Sequence, residues 1–199
     1  GAWREVASFE NTGDYGQAYL TFPAQSGRFR IAFSCADGRE RKATIREMYL
    51  FSEGTPDLAL AHAWQPPCEK ADLLFVVAHP DDEILWFGGA IPYYAGQLGL
   101  QVQAAYLTCY KPERRLEMLN GLWHCGVRSY PDIADFEDYN YQRVDYAYRA
   151  WGKENILSHL VRLLRRYQPE AVVTHDLKGE YGHTQHIVCS ETVLEAASR

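Results

Sequence analysis

Leu73-Leu74-Phe75-Val76-Val77-Ala78 runs directly into His79-Pro80-Asp81-Asp82-Glu83, and this junction decides how the chain is read. Successive side chains of a strand point to opposite faces, so an unbroken apolar run means that both faces meet packed layers. Strands of that kind belong to parallel sheets between helices. The next residues reverse the chemistry, setting one imidazole and three carboxylates where the strand ends. Burying them there is costly unless they are paired. A divalent ion offsets the cost by neutralising carboxylates and coordinating the imidazole. In open α/β sheets, ligands gather at the carboxyl ends of strands. The competing reading is a solvated acidic turn capping a helix that begins near Ile84.

Working outward toward the C-terminus, Val102 to Thr108 and Ala171 to Thr174 read as further buried strands. Between them, Pro112 to Cys125 sets Leu116, Leu119, Leu122 and Trp123 on one helical face. Glu154 to Tyr167 does the same with Ile156, Leu157, Leu160, Val161 and Leu164, and Pro169 stops that helix. Strands alternating with helices predict a Rossmann-like layered α/β domain with a mainly parallel sheet. No G-x-G-x-x-G follows the first strand, so a dinucleotide site would lack its phosphate loop. After the third strand comes Gly179-Glu180-Tyr181-Gly182-His183-Thr184-Gln185-His186. His183 and His186 stand three apart, which puts both on one face of a helix. With the first cluster they supply the N and O donors that suit a metal such as zinc.

Toward the N-terminus the pattern changes. Tyr19 to Phe22 alternates and stops at Pro23. Phe29, Ile31 and Phe33 alternate with Arg28, Arg30 and Ala32, Asp37-Gly38 signals a turn, and another run spans Thr44 to Phe51. The expectation is a short all-β, jelly-roll-like segment over residues 1–54, a linker or strap over 55–71 carrying Pro56, Pro66 and Pro67, and the α/β domain over 72–199. The strands Arg28 to Phe33 and Ile45 to Phe51 resemble the closing strands of discoidin-like modules. That likeness implies a chain that begins inside a domain, and a cell-surface or extracellular setting.

Composition narrows the partners. Of 199 residues, 47% are hydrophobic and 23% charged, enough to bury a core. A net charge of -6 leaves no basic footprint for nucleic acid. No apolar run approaches the roughly 20 residues that span a bilayer. The five cysteines are scattered without a C-x-x-C pair, which argues against a disulfide framework or a cysteine zinc site. Oligomeric state is not legible.

His79-Pro80-Asp81-Asp82-Glu83, followed about a hundred residues later by His183-x-x-His186, resembles the PIG-L/LmbE family of zinc-dependent de-N-acetylases from Asp72 to the C-terminus. The resemblance implies a Zn2+ cofactor held by His79, Asp82 and His186. It implies Asp81 as general base toward a metal-activated water, and His183 as a catalytic residue that holds the developing oxyanion and, protonated, assists departure of the amine. The partner it implies is an N-acetylated sugar or glycoconjugate, from which an acetyl group is removed by hydrolysis of an amide. Glu83 reads as a helix-start or supporting residue. Arg114, with Glu117, fits a family pattern and is a candidate for substrate hydroxyls or a phosphate. Asp132 and Asp135 both lie where family members place a sugar-contacting aspartate, and Asp135 is the substrate-binding candidate carried forward. The aromatic stretch Phe136, Tyr139, Tyr141, Tyr146, Tyr148 and Trp151 suits either sugar rings or a loop packed on the domain. Thr184-Gln185 stands where many members carry Pro-Asp, a change expected to touch no ligand. The family's domain continues past this helix with further strands, so the resemblance implies that the chain stops inside the domain. A carbohydrate-binding protein without turnover, or a zinc hydrolase of another amide or ester, are the alternatives.

Overall fold

The computed structural model describes residues 3–8, 20–22, 28–40, 42, 45, 48–52, 62–109 and 111–199. The chain divides into two compact units, Gly1–Ala63 and Trp64–Arg199.

In the second unit, β1 (Leu73–Val77), β2 (Val102–Tyr106), β3 (Asp132–Ile133) and β4 (Ala171–Thr174) form one parallel sheet in the order β3-β2-β1-β4. The helices are α1 (Asp82–Leu85), α2 (Pro112–His124), α3 (Val144–Trp151), α4 (Lys153–Tyr167) and α5 (Thr184–Ala197), with a π-helical segment at Pro92–Gln97. The apolar run of β1 behaves as its pattern requires. Leu74, Val76 and Ala78 join Trp151, Ile156, Leu160, Tyr167 and Val188 on one face. Phe75 and Val77 join Ile91, Met118 and Leu122 on the other. Two cores on the two faces of one sheet make the three-layer architecture that the sequence predicts, with α3, α4 and α5 in one layer and α2 in the other.

Helix α4 follows its periodicity, burying Ile156, Leu157, Leu160, Leu163 and Tyr167. It ends at Gln168, left-handed at φ 41°, just before Pro169. Helix α2 turns at Gly126, where φ is 92° and a Cβ would lie 2.5 Å from Gly96 Cα, so only glycine lets the turn pack against the π-helical segment. Residues 144–151 form a helix rather than part of a loop. Its Trp151 is buried and Tyr148 donates to Glu191 at 2.6 Å, while Tyr146 stays exposed. The residues just before β1 pack as a strap. Gln65 exchanges backbone bonds with Arg128 and Tyr130, and Ala71 N–H donates to Tyr167.

Strand order sets the place of the site. The chain moves from β1 outward to β2 and β3, then returns to the other side of β1 with β4. The order of adding strands therefore reverses between β1 and β4, which opens a crevice beyond their carboxyl ends.

The first unit does not meet its expectation. Among the described residues before Trp64 there is no strand. Phe29, Ile31 and Phe33 alternate as read but stand exposed. A period-two pattern becomes a strand only where a second edge takes up its N–H and C=O groups. The turn at Asp37-Gly38 does form, with Gly38 N–H donating to Cys35 O at 3.0 Å. Tyr19, Pro23, Thr44 and the linker's Pro56 lie outside the described residues. Neither the jelly-roll segment nor the discoidin likeness finds support, and the cell-surface setting inferred from it has none either. All five cysteines are free, and Cys189 alone is fully buried. No helix among the described residues is long and apolar enough to cross a membrane.

Candidate metal centre

The bend after β1 and the loop after β4 meet in that crevice. The backbone N–H of His79 donates to Asp82 Oδ2 at 2.7 Å, which folds the carboxylate back over its own motif. His79 Nδ1 lies 3.1 Å from the same oxygen. From the first turn of α5, His186 Nε2 reaches within 3.1 Å of His79 Nδ1 and 3.2 Å of Asp82 Oδ1. All three side chains are buried. The loop that delivers His186 turns at Gly179, where φ is 69° and a Cβ would stand 2.5 Å from His183 O.

The surrounding hydrogen bonds fix which ring nitrogens face inward, an assignment made from the network. Glu180 Oε2 is 2.7 Å from His186 Nδ1, so that nitrogen carries the proton and Nε2 presents its lone pair. His175, directly after β4, receives the Ala78 N–H on its Nε2 at 3.0 Å and gives its Nδ1–H to Glu180 at 3.1 Å. Its lone pair is thus already used, and it supports the site through Glu180. His79 Nε2 faces Gln185 Oε1 at 2.7 Å, leaving Nδ1 for the centre.

Two imidazole nitrogens and a carboxylate at mutual distances of 3.1 to 3.2 Å are the donor set of a divalent-metal site. Three donors on one tetrahedral ion, each about 2.0–2.1 Å from it, stand roughly 3.3 Å apart. Two overlapping groups, His79 and His186 with the half-buried His183, and the buried Asp82 with His175 and His186, have ligand atoms close enough to share an ion. Burial alone would raise the Asp82 carboxyl, but the close approach of the His175, His186 and His79 rings outweighs it and holds the carboxyl far below the usual range. For His79, burial works against the charged ring, yet Asp82 and Gln185 carry its pKa above the ordinary value.

Asp81 sits beside this centre with φ 108°, an unfavourable backbone for a non-glycine residue. Its N–H is held by Glu83 Oε2 at 2.9 Å, which stabilises the conformation. Its carboxylate accepts from Arg114 Nη2 at 2.9 Å, and Arg114 also donates to Pro80 O. Burial pushes the Asp81 pKa up more strongly than Arg114 pulls it down. Glu83, fully buried, is pushed up to about 7, chiefly by burial. His183 packs edge-on against His79 with ring centroids 4.8 Å apart. Burial, then the neighbouring His79 and His186, lower its pKa to about 4. Its buried Nδ1 has no partner among the described residues.

The structure thus brings His79, Asp82, His186 and His183 together, with Asp81 and Arg114 paired at the rim. Asp135 lies elsewhere, lining an open groove of about 540 Å3 with Phe136, Asn155, Ser158, His159 and Arg162. Asp132 accepts from the Tyr167 hydroxyl at 2.9 Å. The aspartate of this loop that approaches the centre is Asp138, with Oδ1 3.8 Å from His79 Nε2. His175, Asp138 and the role of Glu180 have no counterpart in the sequence-based expectation. The expectation for Gln185 is corrected, since its amide bonds the ligand candidate His79 directly.

The family model described as PIG-L: GlcNAc-PI de-N-acetylase matches residues 74–197. A probable N-acetylglucosaminyl-phosphatidylinositol de-N-acetylase of Schizosaccharomyces pombe is 27% identical over 130 residues, covering 62% of this chain and 50% of that protein. A 1D-myo-inositol 2-acetamido-2-deoxy-alpha-D-glucopyranoside deacetylase of Catenulispora acidiphila is 26% identical over 159 residues, covering 66% and 49%. The chain therefore spans about half the length of these curated relatives. Among solved structures, the N,N'-diacetylchitobiose deacetylase from Pyrococcus horikoshii superposes with a TM-score of 0.50 at 19% identity, over 77% of this chain and 61% of that one, a likeness of fold.

Proposed function

This chain belongs to the PIG-L family, and on that premise we propose that it is the metal-binding part of a hydrolase that removes the N-acetyl group from an N-acetylglucosamine-containing or related amide. The observation that carries the reading is the convergence of His79 Nδ1, Asp82 and His186 Nε2 within 3.1 to 3.2 Å. His79, Asp82 and His186 would hold the ion, and two imidazoles with one carboxylate favour zinc. Such an ion, when bound, supplies Lewis acidity toward water and an acyl oxygen.

The chain's own residues supply the proton chemistry. Asp81, its pKa raised by burial, is the general base, and a carboxylate is a better proton acceptor as its pKa approaches the working pH. The proton it takes from the attacking water is then available for the departing amine. His183, with its pKa lowered to about 4, enters the reaction neutral. Among the described residues no carboxylate is hydrogen-bonded to it to hold a second proton. Its contribution is a hydrogen bond to the acyl oxygen, where negative charge develops. This differs from the protonated histidine implied by the family resemblance. The relatives' names support an acetamido sugar as the substrate class.

The test is acetate release from N-acetylglucosamine glycosides by zinc-loaded protein beside Asp81→Asn. The expected result is a loss of about 100-fold or more in the variant with zinc still bound. A parent protein that binds one zinc tightly yet releases no acetate would count against turnover and for a carbohydrate-binding role.

A further inference from the structure

Gln185 is the second residue of α5 and has no solvent exposure. Its amide has two neighbours, and they leave it one orientation. On one side stands the carbonyl oxygen of Glu137, 2.6 Å from Gln185 Nε2. A carbonyl can only accept, so the amide NH2 must face it. The amide oxygen therefore faces His79 Nε2, at 2.7 Å, and an amide oxygen can only accept in turn. His79 must carry a proton on Nε2. The Glu137 carbonyl is itself anchored, because the indole N–H of Trp151 donates to it at 2.8 Å and Trp151 is buried in the core between sheet and helices. A continuous relay thus runs from the core through Trp151, the Glu137 carbonyl and the Gln185 amide to the imidazole of His79.

We propose that Gln185 is a positioning residue that holds His79 as its Nε2–H tautomer, so that Nδ1 is the nitrogen offered to the metal. The inference rests on the reading of His79 as a ligand. It sets the two histidine ligands apart. His186 is backed by the charged carboxylate of Glu180, whereas His79 is backed by a neutral amide, which orients the ring without adding negative charge. The relay also ties His79 to the loop 134–141, which Thr184 holds again through a hydrogen bond from Oγ1 to Tyr141 O at 3.0 Å. Asp138 rides on that loop beside His79, so the same amide sets the ring and the loop edge that borders it.

The experiment combines imidazole nitrogen-15 NMR of the zinc-loaded protein with zinc affinity from chelator competition. His79 in the parent protein is expected to show a slowly exchanging proton on Nε2. Gln185→Met, similar in size but without either hydrogen bond, is expected to lose that slow exchange and to bind zinc about 10- to 100-fold more weakly. Gln185→Glu keeps an acceptor for His79 while losing the donor to the Glu137 carbonyl, and is expected to recover the slowly exchanging Nε2–H without the parent's full zinc affinity. A parent protein whose His79 is protonated on Nδ1 would overturn the proposal, and this measurement stands even if the Met variant fails to fold. Unchanged affinity and spectrum in Gln185→Met, with zinc lost in His79→Ala, would overturn it while leaving the metal site intact. Zinc bound as tightly by His79→Ala would remove the ligand reading and the proposal together.

Discussion

Glu180 stands between two histidines, with Oε2 2.7 Å from His186 Nδ1 and Oε1 3.1 Å from His175 Nδ1. One carboxylate thereby sets the tautomer of a ligand candidate and of the residue that packs on it, for the His175 and His186 rings stack with centroids 3.9 Å apart. A carboxylate accepting from a ligating imidazole orients the ring and raises its basicity. Glu180→Gln is therefore expected to weaken zinc binding by roughly 10- to 100-fold, with activity recovered at higher zinc concentration. Competition against a chromogenic chelator measures it. An affinity equal to the parent's would mean that Glu180 only shapes the loop.

The pH dependence of the centre follows from His79. Its pKa in the fold is raised above the ordinary value, so in the metal-free protein its protonation contributes stability that is fully present below the unfolded pKa of about 6.5. That contribution is lost as pH rises through the raised folded value. Zinc needs the same nitrogen free of its proton, so the zinc-loaded protein is expected to show the opposite trend. Melting temperatures of the two forms across pH test the sign. The gap between them should widen as pH rises from the acid side, and parallel curves would contradict it.

How much of this was legible in the sequence differs by element. β1 and β2 show themselves because strands buried on both faces have no polar alternation to confuse with anything else, and the edge strand β4, only partly buried, shows the same apolar run. β3 is Asp132–Ile133 alone, paired with Ala105 and Tyr106, and two residues carry no periodicity. Helix α3 is hidden because its Tyr146, Tyr148 and Trp151 read equally as loop aromatics. The ligand candidates stand out through their clustering, but their supports do not. His175 follows β4 as His79 follows β1, and that symmetry was the available signal. Glu180 reaches His186 across a turn with left-handed Glu180 and Gly179 and positive-φ Gly182, so helical spacing says nothing about their contact. Phe29, Ile31 and Phe33 mislead for the converse reason, since alternation describes one strand and not the edge it needs.

Glu83 gives a stability prediction with a definite sign. Its folded pKa is raised to about 7 from 4.5 by burial. The stability tied to its neutral form is complete below about 4.5 and lost as pH climbs through about 7. Glu83→Gln keeps an oxygen for the Asp81 N–H and removes the buried charge. In the metal-free protein it is expected to be more stable than the parent on the alkaline side, by at most roughly 3 kcal/mol, and equally stable near pH 4. Glu83→Ala, which also frees the left-handed Asp81 backbone, is expected to lose activity. Denaturant titrations at both pH values decide it, and equal stability of Glu83→Gln and parent under alkaline conditions would remove the buried-charge argument.

Arg114 separates two roles that one residue can hold. The family resemblance makes it a candidate for the substrate, whereas its side chain bonds Asp81 at 2.9 Å and the Pro80 carbonyl. Both partners of the ion pair are partly exposed, with side chains 38% and 53% accessible, so solvent screens the pair to about 0–1 kcal/mol, and Arg114→Ala is expected to melt close to the parent. Its guanidinium lowers the Asp81 pKa against the upward push of burial. Removing it lets that pKa rise, so the acid limb of kcat/KM moves to higher pH. Loss of the Pro80 contact also releases the bend that aims Asp81, and a misplaced base lowers kcat by on the order of 10- to 100-fold. Arg114→Lys, which keeps the charge but not the planar fork, is expected to shift the limb less and still lose kcat. A rise in KM with the acid limb unmoved would instead return Arg114 to the substrate, and Asp81 would then owe its position to Glu83.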